Sequence, residues 1–187
     1  MADENEENYQ DVYVFFPQAA PDIVQRVQQT SGEKGPVRFV ASVTGSYDAL
    51  AVVEVEPERD KPSPLAGLPR IIADIFGGQA KGDPPTAVSL INGPLWLRHT
   101  RQYPHIAFVA IRAEPGKARR VLGSTSVVPG YNGSAIVAGP FDVLVEIGAS
   151  SFGELKHRLL EALHPAEGIR WSESYIVTDH YYRGPRK

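Results

Sequence analysis

The sequence contains no cysteine and a single methionine among its 187 residues. Disulfides, thiolate nucleophiles and cysteine-ligated metals are therefore excluded, and a cytoplasmic setting is expected. No apolar run approaches the ~20 residues of a membrane span, so no membrane partner is expected. The opening MADENEENYQD is acidic and lacks the basic-then-apolar order of a secretory signal. Residues 1–9 carry little that could be buried and are expected to stay unfolded. An excess of one charge is missing too. A net charge of −3 offers no long-range attraction for a phosphate backbone, so direct nucleic-acid binding is not expected. The glycine-rich pieces GGQAKGD (77–83) and EPGK (114–117) lack the GxxxxGK[ST] spacing of a phosphate-binding loop. The histidines at 99, 105, 157, 164 and 180 include no pair spaced as on a zinc helix. No metal and no cofactor is expected.

What is present is alternation and punctuation. Val12–Phe16 is rich in strand formers and stops at Pro17. Ile23, Val24 and Val27 share one helical face, closed by Gly32 and Gly35-Pro36. Val37–Val43 and Ala49–Val55 read as strands joined through Gly45-Ser46 as an antiparallel hairpin. A proline-rich loop over 57–69 leads to a helix near Arg70–Phe76, and Ala87–Ile91 reads as a fourth strand. The second half repeats this order. Ile106–Ile111 is a strand, and a helix carries Ala118, Val121 and Leu122. A hairpin of Ser134–Val137 and Phe141–Ile147 turns at Gly139-Pro140. Leu155, Leu159, Leu160 and Leu163 form a helical stripe. Ser150 or Ser151 is the expected N-cap, because Glu154 lies three residues after Ser151. A last strand includes Ser174–Val177.

The halves align directly. VTGSYDAL (43–50) matches VAGPFDVL (137–144), and Asp48 and Asp142 are 142 − 48 = 94 positions apart. The same offset pairs Gly45 with Gly139, Tyr47 with Phe141, and Val12 with Ile106. Two β-α-β-β-α-β units, over 10–97 and 98–187, are expected. Each leaves one sheet face apolar, and burial at about 25 cal/mol per Å² makes mutual covering strongly favourable.

Residues 106–111 (IAFVAI), 114–116 (EPG), 129–130 (PG), 139–144 (GPFDVL), the 155–163 helix and 168–177 (GIRWSESYIV) together resemble the effector-binding domain of Lrp/AsnC transcription regulators. The first half resembles a diverged copy, keeping Gly45-Ser46-Tyr47-Asp48 but departing at 57–69. The resemblance implies an α+β fold of tandem ferredoxin-like units forming a dimeric α/β barrel as a pseudo-dimer. It implies a small-molecule effector, such as an amino acid, and further homo-oligomeric association. The first strand starts too early to leave room for a helix-turn-helix domain, so the resemblance implies a sensor without its reader. Related dimeric α/β barrels include monooxygenase-like and haem-binding enzymes, which is the enzymatic alternative. A ligand-free interaction module is a third.

The candidate ligand-binding residues are Gly45, Tyr47, Asp48, Tyr131, Asn132, Gly139, Phe141 and Asp142. Each has a structural reading beside the functional one. A carboxylate after a tight turn fixes the turn by accepting backbone N–H bonds, or it receives a ligand ammonium. Gly45 and Gly139 supply backbone angles that other residues disfavour, or allow a ligand close. Tyr47 and Phe141 are core or pocket wall. Tyr131 and Asn132 follow Pro129-Gly130 as an ordinary turn or as a pocket edge. Ser172 and Ser174 are weaker candidates. Trp96 and Trp171 read as core or interface wedges. No nucleophile–base–orienter set can be named from spacing alone, so a non-enzymatic role is the leading expectation.

Overall fold

The computed structural model describes residues 10–32, 35–55, 67–76, 84–92 and 103–183. The expectations for residues 1–9, most of the proline-rich loop, Trp96, His99 and the last four residues lie outside these ranges. In chain order the elements are β1 (Gln10–Phe16), α1 (Ile23–Ser31), β2 (Val37–Val43), β3 (Ala49–Val55), α2 (Leu68–Phe76) and β4 (Thr86–Asn92). These are followed by β5 (His105–Ala113), α3 (Ala118–Thr125), β6 (Tyr131–Ala138), β7 (Val143–Ala149), α4 (Phe152–His157), a π-helix (Arg158–Leu163) and β8 (Ile169–Tyr182). The strands are hydrogen-bonded in the order β1-β3-β2-β8-β5-β7-β6-β4, which closes into an antiparallel barrel. Each repeat supplies four consecutive strands in ferredoxin-like order, as the duplicated β-α-β-β-α-β pattern requires.

The chain forms two compact units. One takes in the chain up to Ser42, Tyr47–Ala87 and the chain from Asp179; the other takes in Val43–Ser46 and Val88–Thr178. In the first, Val12, Val14 and Phe16 of β1 and Ala49, Ala51 and Val53 of β3 pack with Ile23, Val24 and Val27 of α1 and with Phe76 of α2. In the second, Ala107, Val109 and Ile111 of β5 and Val143, Val145 and Ile147 of β7 pack with Val121, Leu155, Leu159 and Leu163. The intervening residues, among them Phe15, Leu50, Phe108 and Leu144, are fully buried as well. Both faces of the central strands are thus out of water. This is why their sequences read as continuous apolar runs rather than as clean alternation.

The hairpin motif does the same work in both repeats. Asp48 N–H donates to the Phe16 carbonyl (2.9 Å) and Asp142 N–H to that of Ile111 (2.9 Å). Asp48 Oδ2 accepts from Ala19 N–H (3.1 Å), and Asp142 Oδ2 from Ala113 N–H (2.9 Å). Each aspartate pins the end of its own repeat's first strand. The registers Val12↔Val53 and Ala107↔Ile147 make Ala107, not Ile106, the counterpart of Val12. The offset of 94 holds for the hairpin and is 95 at the first strand, because one more residue separates Phe16 from Ala19 than Ile111 from Ala113.

Ser151 caps α4 as its sequence suggests: its Oγ accepts from Glu154 N–H (3.2 Å), and Glu154 returns a bond to Ser150 N–H (2.9 Å). The helix then loosens into the π-helix, with His164 N–H reaching the Leu159 carbonyl (2.9 Å). That turn keeps Leu159 and Leu163 buried but leaves Leu160 exposed, so the leucine stripe is narrower than 3.6-residue periodicity predicts. β8 is far longer than its apolar core suggested, running to Tyr182.

Directly beyond β8, Arg183 is only 5% exposed. Its Nε–H donates to the Val37 carbonyl (3.2 Å) and its Nη2 to Glu54, while Arg38 Nη1 donates to Asp11 Oδ2 (2.8 Å). Asp11 and Glu54 lie directly opposite each other on β1 and β3. Two like charges there require the two guanidiniums, and burial still lifts the Asp11 carboxyl above the usual range despite Arg38.

Gly45 has φ +126°, and an added Cβ would sit 2.9 Å from Tyr175 Cδ1. Gly123 lies in α3 with open space around it. Urea unfolding of Gly45→Ala is expected to show a loss above about 1 kcal/mol, whereas Gly123→Ala gains up to about 1 kcal/mol. Gly139, at φ +158°, is close to extended and makes no comparable demand. Arg183→Met removes a buried cation from Glu54 and should cost about 3 kcal/mol. Adding Glu54→Gln to it should recover part of that loss, and equal stability of the single and double variants would contradict the charge pairing.

Candidate functional site

The sequence of β7, VLVEIGA, places one carboxylate inside an apolar strand. Val143, Val145 and Ile147 face the helices, so Glu146 falls on the far face of the sheet, opposite Phe108 of β5 and Gly133 of β6. A register irregularity between Tyr131 and Gly133 sets Asn132 beside it. Asn132 Nδ2 donates to Glu146 Oε1 at 3.1 Å. Glu146 is 0% exposed, and its Oε2 has no hydrogen-bond partner among the described residues. Burial pushes this carboxyl up to about 8, against the lowering effect of the Asn132 bond. The group is therefore largely neutral at pH 7. Because Oε1 accepts from Asn132, the proton belongs on Oε2, which makes that oxygen a buried donor.

The far face continues through Phe108 to its cross-strand neighbour Tyr175, also fully buried. Tyr175 donates from its hydroxyl to Glu173 Oε2 (3.0 Å), and Glu173 also accepts from Ser46 N–H (2.7 Å) and Ser46 Oγ (3.0 Å). The second unit thus carries two polar groupings on one face, separated by an aromatic ring.

The eight expected site residues divide among several places. Asn132 joins Glu146. Its neighbour Tyr131 packs on the helix side and shares a hydroxyl hydrogen bond with Ser134 (2.9 Å). Gly45 lies under Tyr175. The Tyr47 ring lies tilted at 55° to that of Phe15, 5.3 Å away, and its hydroxyl donates to Thr86 Oγ1 (3.3 Å). Phe141 stacks on the partly exposed Trp171 at 6.2 Å, and Gly139 lies in the turn just before it. Asp48 and Asp142 hold their strand ends. Glu146 itself was not among the expected residues. Its signal in the sequence is a lone acid between Val145 and Ile147.

A second polar cluster lies on the helix side. His164, where the π-helix ends, meets Ser174 Oγ through Nε2 (3.1 Å) and Ser172 Oγ through Nδ1 (3.2 Å). Burial lowers its pKa below the ordinary histidine value, favouring the neutral ring. Among the described residues no cluster of His, Asp or Glu could hold a metal ion, and no helix is long and apolar enough to cross a membrane.

No protein-family model matches the chain. It is 34% identical over 76 residues to an uncharacterised HTH-type transcriptional regulator of Pyrococcus abyssi, covering 41% of this chain and 48% of that protein. The chain spans about half the length of the curated relatives it matches. Over about two-fifths of its length it is thus similar to HTH-type transcriptional regulators. Among solved structures, the siroheme decarboxylase NirDL superposes with a TM-score of 0.65 at 9% identity, covering 94% of this chain and 73% of that one. An anthrone oxidase-like protein gives 0.56 at 11% identity, covering 96% and 95%. At those identities the likeness is one of fold.

The buried acid has a consequence for stability. Its folded pKa of about 8 lies above the unfolded value near 4.5, so folding takes up a proton between these limits. Stability contributed by the neutral group is fully present below pH 4.5 and is lost as pH rises toward 8, at no more than about 1.4 kcal/mol per pH unit. Glu146→Gln removes that slope. The melting temperature of the variant relative to the parent should rise steadily across this window and level off above it. A difference independent of pH would show that Glu146 does not titrate there.

Proposed function

We propose that the protein binds a small organic molecule on the far face of its second unit and acts on it as an enzyme, with Glu146 as proton donor and Asn132 as the residue that orients it. The observation that carries this reading is a fully buried carboxylic acid, one oxygen of which has no hydrogen-bond partner among the described residues. A polar group buried without a full set of partners costs stability, and such groups concentrate where chemistry needs them. An acid titrating near neutrality is suited to both giving and regaining a proton. The whole-chain fold likeness to a siroheme decarboxylase fits, since the carbanion left by loss of carbon dioxide must be protonated.

A second reading is favoured by the homology to HTH-type regulators. In it the same face holds an effector such as an amino acid, in contact with Asn132. Ligand-free interaction has no comparable observation behind it.

A thermal-shift screen against amino acids and carboxylated tetrapyrroles distinguishes the readings. The expected outcome is saturable stabilisation by a tetrapyrrole acid that loses carbon dioxide on incubation, with affinity at least about tenfold weaker in Glu146→Gln, equivalent to ~1.4 kcal/mol. Amino-acid binding without turnover would support the sensor reading. Binding unaffected by Glu146→Gln would remove this site from either.

A further inference from the structure

The cluster around His164 meets the geometric requirements of an activated nucleophile, and it lies on the opposite sheet face from Glu146. Ser172 and Ser174, two apart on β8, present their hydroxyls to one side of the strand, beside Val109 and Ile111 of the helix-packed face. The imidazole lies between them, 3.1 Å from Ser174 and 3.2 Å from Ser172. Serine and base within hydrogen-bond reach, with the base oriented by a third group, is the arrangement that covalent catalysis requires. The ring is held by the end of a π-helix, a local irregularity that recurs at functional sites. All three residues are partly accessible, as an attacking group must be.

From this geometry we infer that Ser174 is a nucleophile toward activated acyl esters, with His164 as its general base and Ser172 as the positioning residue. Ser172 Oγ accepts the Nδ1–H bond, which leaves Nε2 free to take the Ser174 proton. In the acyl step the Ser174 Oγ–carbon bond forms, the ester carbon–oxygen bond breaks, and the departing alcohol takes the proton from Nε2. Water then attacks the acyl-serine, gives a proton to Nε2, and the Oγ–carbon bond breaks with the proton returning to Ser174. No oxidant or reductant is needed.

A fluorophosphonate traps such a serine, because the same attack forms an Oγ–phosphorus bond as fluoride leaves. The full chain is incubated with the reagent and the adduct is located by peptide mass mapping. Ser174 should label at least about 100-fold faster than the exposed Ser126, the lower range of general-base assistance. Ser174→Ala should abolish that adduct, and His164→Gln should bring labelling down to the Ser126 rate. Ser172→Ala, which leaves the base in place, should slow it about tenfold and keeps the test open if His164→Gln does not fold. Labelling of Ser174 no faster than Ser126, or an adduct rate indifferent to both His164→Gln and Ser172→Ala, overturns the inference.

Discussion

Burial of both faces of the central strands is the constraint on which this structure depends. With Tyr13, Phe15, Leu50 and Val52 withdrawn from water as fully as Val12, Val14, Ala51 and Val53, no side of β1 or β3 is left for casual polar residues. Any ionisable group on the face away from the helices must find partners locally or give up its charge. The two repeats answer this demand differently. In the first, Asp11 and Glu54 stay with Arg38 and Arg183 in a cluster of two acids and two bases. In the second, Glu146 has one amide for company and keeps its proton.

That contrast separates what duplication preserved from what divergence altered. The aspartate of the hairpin makes the same pair of backbone contacts in each copy, because a strand end needs fixing wherever the topology recurs. The position equivalent to Glu146 in the first copy, 94 residues earlier, is Val52, fully buried and apolar. The acid is therefore not a requirement of the fold. A repeat that closes with valine at this point shows that the architecture is satisfied without it, which concentrates attention on chemistry.

Much of the fold was legible in the sequence because it is written in local terms. Val37–Val43 announces its strand by composition and by the turn that follows. Ser151 and Glu154 announce a helix start through a contact spanning three residues. The repeat could be aligned from one eight-residue motif. The candidate sites were not legible in this way. Asn132 was visible as a residue after a turn, but its partner lies fourteen positions away and meets it only through strand pairing and an irregular register. His164 and the two serines become a cluster only once the π-helix has turned the ring toward β8. The slip of one residue between the first strands was hidden for the same reason: an offset read from a hairpin carries no information about the loop before it.

The extent of β8 bears on how the polypeptide matures. The earlier unit draws its closing segment, from Asp179 onward, from the far end of the chain, and the later unit borrows Val43–Ser46 from near the beginning. During vectorial synthesis the amino-terminal half therefore emerges before the segment that carries Arg183 to Glu54. Completion of the first unit therefore follows synthesis of most of the second. Cutting the gene at the repeat boundary would yield two incomplete fragments rather than two autonomous modules.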